Sequence, residues 1–90
     1  MTARAHVVVQ GLVQGVGFRW FAARSAQSLG LVGVVRNLYD GTVEIEAEGE
    51  RSAVEELLKK LKIGPRSAHV TNLRIAWIDP RHTEHQFDIR

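Results

Sequence analysis

The stretch "AHVVVQGLVQGVGFRWFAARSAQSLG", Ala5 to Gly30, changes its apolar rhythm once, and the change falls in "VQGVGFRW", Val13 to Trp20. Before that loop, Ala5 to Val13 is a short β-branched apolar run, the pattern of a buried strand. After it, Trp20 to Leu29 is rich in alanine, with Phe18, Ala22, Ala26 and Leu29 three or four residues apart, and Gly30 stands where a helix commonly stops. The spacing therefore predicts strand, loop, helix. The loop itself carries Gly15, Gly17, one amide side chain and one arginine without any acid, a composition that simple chain reversal does not require.

Downstream, "LVGVVRN" (Leu31 to Asn37) is again apolar and β-branched, "LYDG" turns, and "TVEIEAE" places Val43, Ile45 and Ala47 on one face and Glu44, Glu46 and Glu48 on the other. These read as a hairpin with one wet face. Ser52 with Glu55 three residues on is a capping-box pattern, Val54, Leu57, Leu58 and Leu61 form a helical stripe, and Gly64 with Pro65 ends it. "HVTNLRIAWI" alternates through Thr71, Leu73, Ile75 and Trp77, and "HQFDIR" reads as a last short strand. The expected fold class is α+β: a ferredoxin-like β-α-β-β-α-β sandwich, a mainly antiparallel sheet with two helices on one face and a short C-terminal strand.

With 90 residues, 44% apolar and 24% charged, the chain is expected to form one domain over residues 1–90 and not to be disordered. The absence of cysteine excludes a disulfide, a thiolate nucleophile and a sulfur-ligated metal. No stretch approaches the roughly 20 apolar residues of a bilayer span and the N-terminus lacks a leader pattern, so the expectation is a soluble, cytoplasmic protein with no membrane partner.

Charge is unevenly distributed. Met1 to Tyr39 holds Arg4, Arg19, Arg24 and Arg36 and no acid, whereas the chain from Asp40 onward holds ten acids against eight bases. The N-terminal part is the part that seeks anions. Arg4, Arg24 and Arg36 read as solvated surface charges. Arg19 reads differently, because a cation in the first turn of a helix opposes the macrodipole at a cost of a few tenths to about 1 kcal/mol.

A phosphate at that helix start would offset the cost, accepting the guanidinium fork and the loop amides together. A tight turn with a surface arginine accounts for the same spacing. The loop is not a P-loop, since no Gly-Lys-Ser/Thr follows, and not a dinucleotide fingerprint, since Trp20 stands at the place of the third glycine. Ser25 and Ser28 lie inside the predicted helix without a nearby base, and His6, His69, His82 and His85 are scattered, so neither a covalent nor a metal mechanism has its parts. What remains for such a site is direct attack by water on a substrate with a good leaving group. Asn37, ending the second strand, reads either as a water positioner or as a turn-favouring asparagine.

"GLVQGVGFR" (Gly11 to Arg19) and "GVVRNLYDGTVEIEAEG" (Gly33 to Gly49) together resemble the two signature motifs of the acylphosphatase family, and the length and element order are similar as well. The resemblance implies a phosphate-binding role for Gln14, Gly15, Val16, Gly17, Phe18 and Arg19, with Arg19 and Asn37 catalytic, Asn37 orienting the water. It implies hydrolysis of a small-molecule acyl phosphate to carboxylate and inorganic phosphate without metal or covalent intermediate; a monomer with no cofactor is expected, with inorganic phosphate as an inhibitory product. Val34 departs from the family pattern, in which an aromatic residue usually follows the first glycine of the second motif, and altered packing under the site is the expected consequence. Two other readings make separate demands. An RNA-recognition module would need base-stacking aromatics on its central strands, where this chain has none and presents glutamates instead, so no nucleic-acid partner is expected. An anion-sensing module would bind phosphate without turnover.

Overall fold

The computed structural model describes all 90 residues. The chain forms β1 (Thr2–Leu12), α1 (Phe18–Ser28), β2 (Val32–Asn37), β3 (Val43–Glu50), α2 (Arg51–Ile63), β4 (His69–Ile78) and β5 (Phe87–Ile89). One five-stranded sheet results, in the order β4-β1-β3-β2-β5. Its β1–β3, β1–β4 and β2–β3 pairs are antiparallel, while β5 runs parallel to β2. This is the ferredoxin-like α+β arrangement that the element order predicts, with the short C-terminal strand extending the sheet beside β2.

Alternation along the strands sets which face is covered. Ala5, Val7 and Val9 of β1, Val35 of β2, and Val43, Ile45 and Ala47 of β3 are all fully buried beneath the helices. Helix α1 adds Phe18, Ala22, Ala23 and Ala26, and α2 adds Val54, Leu57, Leu58 and Leu61, so that small alanines let α1 approach the sheet closely. Helix α1 packs over β2 and β5, α2 over β1, β3 and β4, and the two helices touch along their shared flank. Burying 18 such residues in one cluster is the main drive to fold.

Four sequence expectations change in the structure. First, the alternation assigned to β4 breaks at Thr71. The β1–β4 register shifts between Gln10 and Gly11, so Gly11 pairs with Val70 rather than Thr71, and Val70 turns toward the core. Gly11 makes this bulge possible: its φ is +127°, and a Cβ there would lie 2.1 Å from the His69 carbonyl oxygen. Ile75 and Trp77 do face the helix side, but on this edge strand α2 covers them only in part. Second, the Ser52–Glu55 capping box does not form. Helix α2 begins at Arg51 with Glu50 at its N-cap position, the Arg51 N–H donates to the Met1 carbonyl at 2.8 Å, and Glu55 pairs with Arg51 one turn away.

Third, Arg4 is not solvated but 1% exposed. It lies on the sheet face opposite the helices, where its guanidinium donates to Glu46, to Glu48 and, through two parallel bonds of 2.7 and 2.9 Å, to Glu84. The face expected to be wet therefore has a sealed centre, strapped by residues 79–86: the N–H groups of Arg81 and His82 donate to the two Glu48 oxygens at 2.8 and 3.0 Å. Fourth, Val34 faces away from the helices, between buried Gly33 and Val35, and so does not pack under the loop after β1.

Candidate active site

Strands β1 and β2 both run antiparallel to β3, and β5 runs parallel to β2, so all three end at the same edge of the sheet. Their ends bring Val13, Asn37 and Ile89 together, and helix α1 starts there. The result is a cleft of about 200 Å³ lined by Val13, Gly15, Gly17, Phe18, Arg19, Trp20, Asn37 and Ile89. Residues separated by seventy positions meet because the strands are parallel.

The loop owes its shape to its glycines. Gly15 and Gly17 have φ of +74° and +79°, with a residue of negative φ between them, the alternation that curls successive N–H groups to one side. Gly17 caps α1 with no side-chain acceptor, and no acid stands in the first turn. The first N–H of the helix to close a turn is that of Phe21, onto the Gly17 carbonyl at 3.0 Å, while the N–H groups of Gln14 to Gly17 enter no main-chain hydrogen bond. A row of free donors, reinforced by the positive end of the helix dipole, is suited to an anion.

Arg19 is half-buried on the cleft wall, and no Asp or Glu side chain lies within ion-pair distance of it. Its Nη1 donates to the main-chain oxygen of Arg90 at 2.8 Å, and the Arg90 N–H donates in turn to the Val35 carbonyl at 2.9 Å. The guanidinium is thus referenced to β2, the strand that carries Asn37. Asn37 is half-buried and lines the same cleft.

The sequence-assigned residues divide into two groups. Gly15, Gly17, Phe18, Arg19 and Asn37 line the cleft, with Phe18 buried and anchoring the helix start against the core. Gln14 and Val16 do not line it: Val16 packs against the core, and the Gln14 side chain turns away to donate from Nε2 to the carbonyls of Leu38 and Thr42 at 2.7 and 2.9 Å. Only their main-chain amides belong to the loop. Trp20, Ile89 and the Arg90 main chain are additions that sequence reasoning missed. Nothing local marks Ile89 or Arg90, since only the β2–β5 pairing brings them to the cleft.

The cleft contains no serine, histidine, aspartate or glutamate, and no group of three or more His, Asp or Glu side chains in the chain is arranged to hold a metal ion. No helix is long and apolar enough to cross a membrane.

Fold and cleft together define a ferredoxin-like α+β protein with a glycine loop of free amides at the head of its first helix. Residues 5–89 match the acylphosphatase family model. The chain is 48% identical over 87 residues to an acylphosphatase of Anaeromyxobacter dehalogenans, covering 97% of this chain and 94% of that protein. It is 49% identical over 76 residues to one of Chlorobaculum tepidum, covering 84% and 83%. The crystal structure of acylphosphatase from Bacillus subtilis superposes with a TM-score of 0.94 at 36% identity over 100% of this chain and 99% of that one. The chain belongs to the acylphosphatase family.

Proposed function

We propose that this protein hydrolyses the carboxyl–phosphate bond of small acyl phosphates, with Arg19 and the amides of Gln14 to Phe18 holding the phosphoryl group and Asn37 orienting the attacking water. The observation that carries the reading is that one cleft holds a guanidinium with no acidic side chain beside it, a row of free amides and a neutral carboxamide, in a chain of this family.

The chemistry follows from what lines the cleft. Water attacks phosphorus, the bond from phosphorus to the acyl oxygen breaks, and the electron pair leaves on a carboxylate, a leaving group stable enough to need no strong general acid. The water's proton passes to a phosphoryl oxygen. Arg19 and the loop amides gain strength as charge accumulates on the equatorial oxygens, and Asn37 places the nucleophile by accepting from and donating to it without changing its own protonation. No metal and no covalent intermediate take part, in keeping with a cleft that offers neither ligands nor a nucleophile. Inorganic phosphate, as product, competes for the same donors. The protein acts as a single-domain monomer in the cytoplasm, without nucleic acid, since β1 and β3 carry no Phe, Tyr or Trp side chain on which a base could stack.

The test follows benzoyl phosphate hydrolysis by ultraviolet absorbance with EDTA present. Wild type turns over. Arg19→Ala loses both turnover and phosphate binding, whereas Asn37→Ala keeps phosphate binding and loses about 10²- to 10³-fold in rate. Equal loss of phosphate binding in both variants would sink this division of roles, and a folded wild type that binds phosphate without turnover would make the cleft a sensor.

A further inference from the structure

The cleft has two chemically distinct halves. Gly15, Gly17, Arg19 and Asn37 supply its polar half, and Val13 and Phe18 form its floor as core residues, each 1% exposed. The remaining two lining residues are Trp20, 59% exposed, and Ile89, 48% exposed. Large apolar side chains left in water beside a polar cleft are the informative case of surface hydrophobicity.

Nothing in the core explains their position. Trp20 follows Arg19 directly in α1, and adjacent helical positions point about 100° apart, so the two side chains approach a ligand at the helix start from different sides. The Arg24 guanidinium, one turn on, lies 4.8 Å from the centre of the indole and covers one of its faces. This stacking narrows the ring's choice of rotamer and presents the remaining face or edge. Ile89 reaches the cleft from β5, whose parallel pairing to β2 fixes its place.

We propose that Trp20 and Ile89 form an acyl subsite, and that the substrates preferred by this protein carry an aromatic or bulky apolar acyl group rather than a short one. The inference rests on the reading of the cleft given above. With the phosphoryl group held by the loop, the acyl group has to leave the polar half, and the apolar wall of the same cleft is where it finds contact. Trp20 and Ile89 then determine specificity rather than perform chemistry.

Binding of methylphosphonate and benzylphosphonate, measured by titration calorimetry, separates the two halves without requiring turnover. Wild type binds benzylphosphonate about tenfold more tightly than methylphosphonate, a difference of about 1.4 kcal/mol. In Trp20→Ala that ratio falls below about threefold while methylphosphonate affinity changes little, and Trp20→Phe retains most of the preference, since an aromatic wall remains. Equal affinity of wild type for both compounds, or a preference undiminished in Trp20→Ala, overturns the subsite. Arg19→Ala is the control for the underlying reading: it loses both compounds if the phosphonate sits in the loop. Undiminished binding of both by Arg19→Ala overturns the phosphate cradle itself, and the subsite with it.

Discussion

Gln14 shows how a residue can belong to the glycine loop yet direct its side chain elsewhere. Its Nε2 donates to the carbonyls of Leu38 and Thr42, which also accept the N–H groups of Gly41 and Leu38, at 3.2 and 2.9 Å. Asp40 completes the turn, its Oδ1 accepting from the Thr42 N–H and, at 2.6 Å, from the Thr42 hydroxyl, and the Thr42 hydroxyl above all holds the Asp40 carboxyl below its usual range. The amide therefore ties the glycine loop to the turn that follows Asn37. Gln14→Leu keeps the approximate volume and removes both bonds, at a cost of about 1–2 kcal/mol in stability. If Gln14 is a positioning residue that acts through Asn37, the variant loses about tenfold in kcat while the inhibition constant of inorganic phosphate changes less than about threefold, and it loses nothing further when combined with Asn37→Ala. Multiplying losses in the double variant would instead show that the two side chains act independently.

Among the secondary-structure elements, α2 and β4 are where local pattern and structure part. Ser52 has the right neighbours for a capping box, but the main chain enters α2 directly from β3, and the Met1 carbonyl takes the first N–H. Ser52→Ala is accordingly expected to change stability by less than about 0.5 kcal/mol, where a working cap loses about 1 kcal/mol. Gly11→Ala is the contrasting case, since the Cβ would overlap the His69 carbonyl and the φ suits only glycine. Its expected cost is about 2 kcal/mol or more, read as a lowered urea midpoint with an unchanged slope. A large effect at Ser52 combined with a small one at Gly11 would contradict both assignments.

Across the whole molecule, the open sheet face acts as an ionic seal. Arg4 is held charged far above its normal range, chiefly by its bonds to Glu84. Glu84 is lowered chiefly by Arg4, and Glu44 chiefly by its bond to His6, which lies 2.9 Å away. At Glu48, burial pushes the pKa upward, but the Arg81 N–H, the Arg4 guanidinium and the His82 N–H outweigh it and leave the group lowered. All three carboxyls have folded pKa values below the ordinary 4.5, so the folded state binds fewer protons than the unfolded state in acid. Their stabilisation is complete well above pH 4.5 and is lost as the pH falls through the lowered values. Urea midpoints measured from pH 7 down to pH 3 should therefore be level near neutrality and drop below about pH 4.5. A midpoint that does not fall over that acid range would mean that the seal adds nothing to stability.

Much of this architecture can be read along the chain. The switch from a β-branched run to alanine spaced at helical intervals locates β1 and α1, the alternation of Val43, Ile45 and Ala47 with glutamates orients β3, and the glycines and arginine of the loop single out the stretch that heads the cleft, because each of these depends on neighbours within a few residues. Other features depend on partners far away in sequence. Whether Arg4 is solvated or sealed turns on Glu84, eighty residues distant, and whether Asn37 is a turn residue or a wall of the cleft turns on β1 and β2 running parallel with β3 between them. The bulge at Gly11 exists only against β4, and Ile89 reaches the cleft only through its pairing with β2. Local chemistry along the chain determined the elements and the character of the loop. Strand order and register, which are properties of pairs rather than of single segments, decided which of those chemically suitable residues stand face to face.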